Sequence, residues 1–327
     1  MLATTVSHYP KVGDARGQQR LRQAINKLDK ADVDRAAVDA IAAELTAEVL
    51  QEQADAGLDL VTDGQIRWQD PVTYLAQGLE GFDVTGLLRW FESNTYYRQP
   101  LAKGPIRWSR PILVDDYRFA REHSSKPVKA VVTGPYTIAT LSHTRNHGSH
   151  RDFVLDVAAA LNQELKALAA ESPAWIQVDE PAIANNPSVR YPRDFDVFSE
   201  AMAVLTDGVS APLSLYVYHG SAEDVPGLLT LPFDLFGFDL VQGAASWSLL
   251  EGWPSGKHFG AGVLDARNVR LETAEALAEQ LGRVAAAVGS DNVHVSPSCG
   301  LEFLPRDVAI AKLRRTAEAA HGVPVGV

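Results

Sequence analysis

The stretch "WIQVDEPA", residues 175–182, decides the fold because it joins a short run of strand-forming side chains to two carboxylates and a proline. Runs rich in Val, Leu, Ile and aromatic residues are typical of parallel strands that are buried on both faces. Seven further runs share this character and lie at residues 3–7, 58–64, 128–134, 213–219, 235–241, 258–265 and 293–298. Together with residues 175–180, they predict eight parallel strands.

Between these runs lie segments in which apolar residues recur at three- and four-residue steps, the spacing of one helix face. Clear examples are 34–55, 150–171 and 271–289, the last with Gly289 as its C-terminal stop. The alternation predicts an α/β protein with the TIM (β/α)₈ barrel fold, as a single domain over residues 1–327. The alternative is a doubly wound open sheet, but no G-x-G-x-x-G turn follows the first strand.

Residues 65–127, between the second and third predicted strands, are too many for a simple crossover. We predict that they form an insertion that passes over the barrel mouth. The segment is rich in aromatic side chains, among them Trp68, Trp90 and Phe91. Long loops at the carboxyl ends of barrel strands usually build the site. These aromatic residues either contribute to it or pack the insertion onto the barrel.

Composition limits the classes of partner. The chain has 327 residues, a net charge of −11 and one cysteine, Cys299. Nucleic acids and anionic membranes need clustered Lys and Arg, so neither is expected as a partner. A lone cysteine cannot form an internal disulfide, and the N-terminus lacks the pattern of a signal peptide, so we expect a cytoplasmic protein. No apolar stretch approaches the 18 residues of a membrane span.

The ends of the predicted strands carry the candidate site, because barrel enzymes place catalytic residues there. His219, Asp239 and Cys299 end strands five, six and eight, and their side chains are a plausible set of Zn²⁺ ligands. Zinc with an open position would hold a substrate thiol as a thiolate. The spacing contains no C-x-x-C, and the alternative for Cys299 is a small buried hydrophobic residue.

Other polar residues allow two interpretations each. Asp179 and Glu180 end strand four, where they either do acid–base chemistry or hold the following loop. The cluster of His143, His147 and His150 could bind a metal or an anion, but we expect a solvated loop that borders the mouth.

Several strand-end phrases, taken together and in order, resemble the C-terminal catalytic barrel of cobalamin-independent methionine synthase, in its short single-barrel form. They are "TTVSHYP" (4–10), "LVTDGQIRWQDPVTY" (60–74), "VVTGPYT" (131–137), "IQVDEPA" (176–182), "HGS" (219–221), "GAGVLDARN" (260–268) and "SPSCGLEFLP" (296–305). The resemblance covers nearly the whole chain. It implies that zinc binds the sulfur of homocysteine, which then attacks a methyl group from a donor, either a folate or a corrinoid protein.

The resemblance also implies roles for individual residues. His219 and Cys299 match zinc ligands, Asp239 lies near the position of a third, and Ser221 occupies the position of a cysteine ligand that this chain lacks. A serine hydroxyl is a poor ligand at neutral pH, so the zinc site is expected to be weakened or altered.

Carried over in the same way, Asp179 binds the substrate amine, and Gln65 replaces a glutamate that does so in the family. Val6, Ser7 and His8 stand where the amino-acid carboxylate is seated, and Arg98 is a further predicted substrate contact. Arg267 stands at the position of a proton-shuttling histidine, so we predict a catalytic role for it beside Asp179 and Glu180. Leu141 replaces a tryptophan on which the folate stacks.

Methyl or alkyl transfer to a thiol, most simply homocysteine, is therefore the favoured hypothesis. The first alternative is a diverged barrel enzyme, a lyase or transferase acting on another small thiol or amino acid, because Ser221, Gln65 and Arg267 depart from the family pattern. The second alternative is a barrel that has lost catalysis and serves as a binding partner.

Overall fold

The computed structural model describes residues 1–13, 16–145, 147–186, 188 and 191–322. Strands are β1 Leu2–Ala3, β2 Glu80–Arg89, β3 Tyr96–Arg107, β4 Lys129–Thr133, β5 His143–Thr144, β6 Trp175–Asp179, β7 Leu213–Val217, β8 Leu235–Asp239, β9 His258–Leu264 and β10 Val293–Pro297. Helices are α1 Arg20–Asp29, α2 Arg35–Asp55, α3 Thr73–Gly78, α4 Val114–His123, α5 Pro135–Leu141, α6 His150–Ala169, α7 Pro181–Ala184, α8 Phe195–Thr206, α9 Ala274–Val288 and α10 Arg306–His321. Short 3₁₀ helices lie at Arg16–Gln19, Leu228–Thr230, Ala244–Leu250 and Ser290–Asn292.

The main sheet is parallel and curled. Its strand order is β1-β10-β9-β8-β7-β6-β4, and each neighbouring pair is parallel. Leu60 and Val61 form isolated parallel bridges to Thr4 and Val128, next to the two edge strands. Seven of the predicted strands are thus strands of this sheet, whereas 58–64 is reduced to the two bridging residues. The α/β class is confirmed.

Two strands of a second sheet, β2 and β3, lie within the predicted insertion 65–127, and its third strand, β5, follows β4. Strands β2 and β3 form an antiparallel hairpin, and β5 pairs in parallel with the other edge of β3. The hairpin register shifts twice along β2, between Glu80 and Phe82 and between Val84 and Leu87. The sequence predicted an excursion at this place but not its strand pairing.

Side-chain caps explain where the long helices begin. Asp34 accepts a hydrogen bond from the backbone of Ala37 at the start of α2, and Ser149 and Thr273 do the same for α6 and α9. Such caps satisfy backbone donors that a helix leaves free at its first turn. Gly289, with φ of 85°, ends α9. The predicted helices 34–55, 150–171 and 271–289 are therefore confirmed to within a few residues.

Strands β4, β7 and β8 are buried along their whole length, and β6 is buried except at Trp175. Helix α6 contacts α8, β3 and β6, and its buried residues include Phe153, Leu161 and Leu165. Because the strands are parallel, their carboxyl ends lie at one edge of the sheet. That edge is called the mouth below. In the described part of the chain, every helix falls short of the length and apolar character that crossing a bilayer requires.

Candidate active site

The mouth is built by the residues that follow the parallel strands. They are Ser7 and His8 after β1, Glu180 after β6, Tyr218 and His219 after β7, Asp239 at the end of β8, Asp265 to Arg267 after β9, and Ser298 to Glu302 after β10. Most of these side chains are buried, although they are polar or ionisable. Buried polar groups of this number require partners or a ligand.

Asp179 lies at the centre of a connected network. Its Oδ1 atom accepts a hydrogen bond of 2.7 Å from the Gln177 amide, and its Oδ2 atom accepts one of 3.1 Å from the Tyr218 hydroxyl. Lys129 donates to the Gln177 Oε1 atom over 2.6 Å and to the Thr5 carbonyl over 2.5 Å. An ammonium group only donates, so Lys129 fixes which end of the Gln177 amide faces Asp179.

The network sets the charges at this place. Burial raises the pKa of Asp179 to about 6, and the donor groups around it, including Gln177, Lys129 and Ser7, oppose that rise. Burial lowers the pKa of Lys129 to about 7, and the charge of Asp179 opposes that fall. At neutral pH, Asp179 is therefore mostly ionised, and its negative charge is available to a cation in the mouth.

Glu180 has a different environment from its neighbour. One carboxylate oxygen accepts from the backbone of Tyr136, and the other accepts from the backbone and hydroxyl of Thr137. A Cβ atom on Gly134 would lie 2.2 Å from Glu180, so glycine is required there for the carboxylate to reach α5. Burial raises the pKa of Glu180 to about 8 against these three donors. Its contacts are those of a group that holds the loop, while its predicted catalytic role remains a prediction.

The predicted metal ligand Asp239 uses both carboxylate oxygens on the backbone. Oδ1 accepts from Val241 and Gln242 at 3.0 and 2.8 Å, and Oδ2 accepts from the backbone nitrogen of His219 at 3.3 Å. The carboxylate therefore closes the turn after β8 and ties it to the end of β7.

The other two predicted ligands are enclosed. Four aromatic rings surround the His219 imidazole, those of Trp90, Phe91, Tyr218 and Phe303. Its Nδ1 atom is buried and has no hydrogen-bond partner among the described residues, and burial lowers the pKa of the imidazole to about 3. The Cys299 thiol is fully buried 3.5 Å from the Gly300 carbonyl, and burial raises its pKa well above the ordinary value.

A zinc ion needs several deprotonated donors that converge on one point. The described residues contain no group of three or more His, Cys, Asp or Glu side chains that could hold a metal ion. Asp239 is committed to backbone donors, and burial favours the neutral thiol of Cys299. As placed, the residues therefore do not fit a zinc centre, and Ser221, which is half-buried, adds only a hydroxyl.

The tip of the β2–β3 hairpin, residues 90–95, closes this side of the mouth. Trp90 and Phe91 are buried, and the Phe91 ring lies 5.1 Å from the His219 ring. Arg267 holds the tip in place, because its guanidinium donates to the Glu92 carbonyl and to the Gln242 side chain, each over 2.9 Å. The predicted catalytic residue Arg267 thus connects the hairpin tip to the loops after β8 and β9.

The predicted substrate-binding residues divide into two groups. Ser7 hydrogen-bonds Asp179, and the Val6 carbonyl accepts from Gln177, so both belong to the network. His8 and Gln65 each have a buried side-chain atom, Nε2 and Oε1 respectively, that finds no partner in the part of the chain that the structure describes. Val6, Ser7 and His8 follow β1, and Gln65 follows the bridging residues Leu60 and Val61. Arg98 differs, because its side chain is exposed on the hairpin while its backbone binds Asp70 and Thr73.

Three non-glycine residues at the mouth have left-handed backbone conformations. They are Gln65, Phe91 and His219, with φ of 50°, 47° and 65°. Such conformations cost of order 1–3 kcal/mol each and cluster at functional sites. Sequence reasoning gave no sign of them, because none of the three is a glycine or an asparagine.

Two charged residues of the mouth were missed at the sequence level. Lys11 and Glu302 line a cavity of about 260 Å³ together with His8, Asp70 and Trp90. Burial lowers the pKa of Lys11 to about 8 and raises that of Glu302 to about 8. The phrase "CGLEF" contains Glu302, and its place three residues after Cys299 was the signal that could have identified it.

The three clustered histidines do not converge. His147 bonds Thr144 and Asp156, whereas His150 stacks on Tyr191 with ring centres 4.0 Å apart. His143 belongs to β5, where it pairs with Leu101 of the hairpin. All three are half-buried, so the expected solvated loop is instead a packed one.

Comparisons with known proteins agree with this architecture. Residues 1–322 match the family model described as the catalytic domain of cobalamin-independent synthase. The chain is 32% identical over 323 residues to a methionine synthase of Saccharolobus solfataricus, covering 98% of this chain and 94% of the relative. A methionine synthase of Sulfolobus acidocaldarius is 32% identical over 313 residues, covering 95% and 88%.

Solved structures confirm the fold. A B12-independent methionine synthase from Shewanella sp. W3-18-1, in complex with selenomethionine, superimposes with a TM-score of 0.81 at 21% identity, covering 99% of this chain and 98% of that one. A vitamin-B12 independent methionine synthase from Listeria monocytogenes, described as putative, gives a TM-score of 0.76 at 15% identity, with full coverage of both chains.

Proposed function

Because the chain belongs to the family of cobalamin-independent synthase catalytic domains, we propose that it transfers a methyl group to the thiol of homocysteine and so forms methionine. The protein is accordingly a methyltransferase. The observation that carries this proposal is the family match over residues 1–322, which spans every strand end that builds the mouth.

In the reaction, the homocysteine sulfur uses an electron pair to form the new bond to the methyl carbon. The bond between that carbon and the donor breaks, and its electrons go to the donor. The thiol proton leaves the sulfur and, in the net reaction, is taken up by the demethylated donor.

The network around Asp179 supports recognition of an amino-acid substrate. Gln177, Tyr218 and Ser7 hold the carboxylate in one orientation before any ligand arrives, and Asp179 is mostly ionised at neutral pH. A carboxylate in a site shielded from water attracts an ammonium group strongly. Asp179 would therefore bind the amine of homocysteine. The His8 Nε2 and His219 Nδ1 atoms, which have no partner among the described residues, would offer hydrogen bonds to polar atoms of the bound substrate.

The remaining parts of the proposal concern details of the fold, the cofactor and the donor that family membership does not determine. We propose that residues 60–61 close the curled sheet into an eight-stranded barrel within a single domain, and that 65–127 passes over its mouth, which agrees with the contacts of the hairpin tip. Zinc, a folate or corrinoid donor and a cytoplasmic location remain predictions. No step is assigned to zinc, because the donors as placed do not fit it.

The test is to incubate the purified protein with homocysteine and, in separate reactions, methyltetrahydrofolate and methylcobalamin, and to quantify methionine by mass spectrometry. We expect methionine that depends on the protein with at least one donor, and loss of most of it in Asp179→Asn, which removes the anion proposed to bind the substrate amine. Failure to form methionine with every donor, at protein concentrations that exceed the substrate, would overturn the proposal.

A further inference from the structure

Glu302 lies in the loop after β10, and its position is fixed by close packing. A Cβ atom on Gly300 would lie 2.2 Å from the Glu302 Oε2 atom and 3.2 Å from the backbone nitrogen of His8. The carboxylate therefore folds back over a glycine, between the loops that follow β10 and β1. Any larger residue at position 300 would push it out of the mouth.

The carboxylate lacks a partner for one of its oxygens. Oε2 is buried without a hydrogen-bond partner among the described residues, although a buried carboxylate oxygen ordinarily accepts one or more bonds. Lys11 lines the same cavity, but its ammonium donates to the Trp68 carbonyl, and no salt bridge joins it to Glu302 in the described part of the chain. An unpaired carboxylate oxygen in a cavity is a place for a donor that comes from outside. Burial raises the pKa of Glu302 to about 8, and an ammonium group that arrives there would favour the ionised form of the carboxyl.

The proposed substrate supplies such a donor. Homocysteine carries an ammonium group with three N–H donors, more than the single carboxylate of Asp179 can satisfy, because that carboxylate already accepts from Gln177, Tyr218 and Ser7. Gln65 is neutral, and its Nε2 atom is committed to Asp63. Ser7, which hydrogen-bonds Asp179, precedes His8, whose backbone nitrogen lies beside Gly300 and the Glu302 carboxylate. The two carboxylates therefore reach the mouth from neighbouring loops.

We propose that Glu302 binds the ammonium group of the amino-acid substrate together with Asp179, and so selects amino-acid thiols over thiols that lack an amine. This inference rests on the proposed function, because it takes homocysteine as the ligand. It assigns a specificity-determining contact to a residue in the loop after β10.

Calorimetric binding of two thiols that differ by one group tests this contact. L-homocysteine has the amine, and 4-mercaptobutanoate is the same molecule without it. In the wild-type protein we expect homocysteine to bind at least tenfold more tightly. In Glu302→Gln we expect homocysteine to bind about 10- to 100-fold more weakly, the size of one charge-assisted hydrogen bond, and 4-mercaptobutanoate to bind as before.

Two further variants control for damage to the fold. Glu302→Asp keeps the charge and should retain part of the preference for homocysteine, and Glu251→Gln removes a charge at an exposed position and should change neither affinity. Equal loss of both thiols in Glu302→Gln, or unchanged homocysteine binding, overturns the inference while leaving the proposed function standing. No binding of homocysteine to the wild-type protein overturns both.

Discussion

On one side of the mouth, Lys129, Gln177 and Asp179 hold one another through hydrogen bonds of 2.6 and 2.7 Å, whereas on the other side His219 and Cys299 lie among aromatic rings and backbone atoms. The first side has its charges and donor directions fixed before a ligand arrives. The second side is closed by the hairpin tip, and its groups are held neutral by burial. The part proposed to recognise an amino acid is thus held in place by hydrogen bonds, while the part expected to hold an ion is not.

The largest effect on activity should come from removing the charge of Asp179, on the side of the mouth that hydrogen bonds hold in place. Asp179→Asn turns an acceptor into a donor that faces the Gln177 amide and removes the anion offered to the substrate. We expect kcat/KM for methionine formation to fall about 100-fold, as for loss of a charge-assisted contact in a buried site. Asp291→Asn, at an exposed position, is the control. A fall of less than fivefold would show that Asp179 does not touch the substrate.

Glu180 separates a structural carboxylate from a catalytic one. In Glu180→Gln, the amide would direct N–H groups at the backbone donors of Tyr136 or Thr137. We expect the free energy of unfolding to fall by about 2 kcal/mol, the cost of unmade buried hydrogen bonds. Urea unfolding measures this, and activity per folded molecule should stay near that of the wild-type protein. Normal stability with lost activity would instead establish the predicted catalytic role.

The pH profile tests whether Lys129 acts through Gln177. Under the proposed role, activity requires ionised Asp179, so we expect it to fall as pH drops through the pKa of that carboxyl, which is about 6. Lys129→Met removes a positive charge and lets the Gln177 amide turn its oxygen toward Asp179, and both changes raise that pKa. We expect the acidic limb of kcat/KM to move up by about one pH unit. Lys257→Met, which also removes a lysine bonded to a backbone carbonyl, should leave the limb in place.

The smallest effect concerns zinc binding on the side of the mouth that contains His219 and Cys299. Ser221→Cys supplies a thiol at the half-buried position where the resemblance places a missing ligand. Thiolate is a much better zinc ligand than a hydroxyl, so we expect about fivefold more zinc to remain after dialysis, measured by atomic emission. Ser290→Cys places a thiol at an exposed site and controls for nonspecific binding. Equal zinc in both variants would mean that residue 221 does not face His219 and Cys299.

Much of the fold followed from periodicity. The three predicted helices and seven of the predicted strands are present, because apolar spacing directly reports which face is buried. Segment 58–64 reads as a full strand but pairs only at Leu60 and Val61. Strand propensity describes how readily a residue adopts an extended conformation. It does not determine how many of its backbone groups pair with a neighbouring strand.

The site was predicted less completely. Asp179 and Ser7 were identified from strand ends, and the structure brings them together. Lys129 was passed over as part of an apolar strand, and Glu302 as part of a loop, because a sequence does not show which way a side chain points. The sequence also did not show that Asp239 accepts hydrogen bonds from three backbone donors, because those donors belong to the turn after β8 and to His219.

Cys299 is the one sulfhydryl of the chain, and it is fully shielded from solvent in a protein with no second thiol to compete for a reagent. A colorimetric disulfide reagent can therefore modify a single atom, and only in moments when local opening uncovers it. The rate of that colour change therefore measures how often this end of the molecule opens locally. Any small molecule that binds at this end should slow the modification of Cys299, which gives a screen for ligands that requires no known reaction.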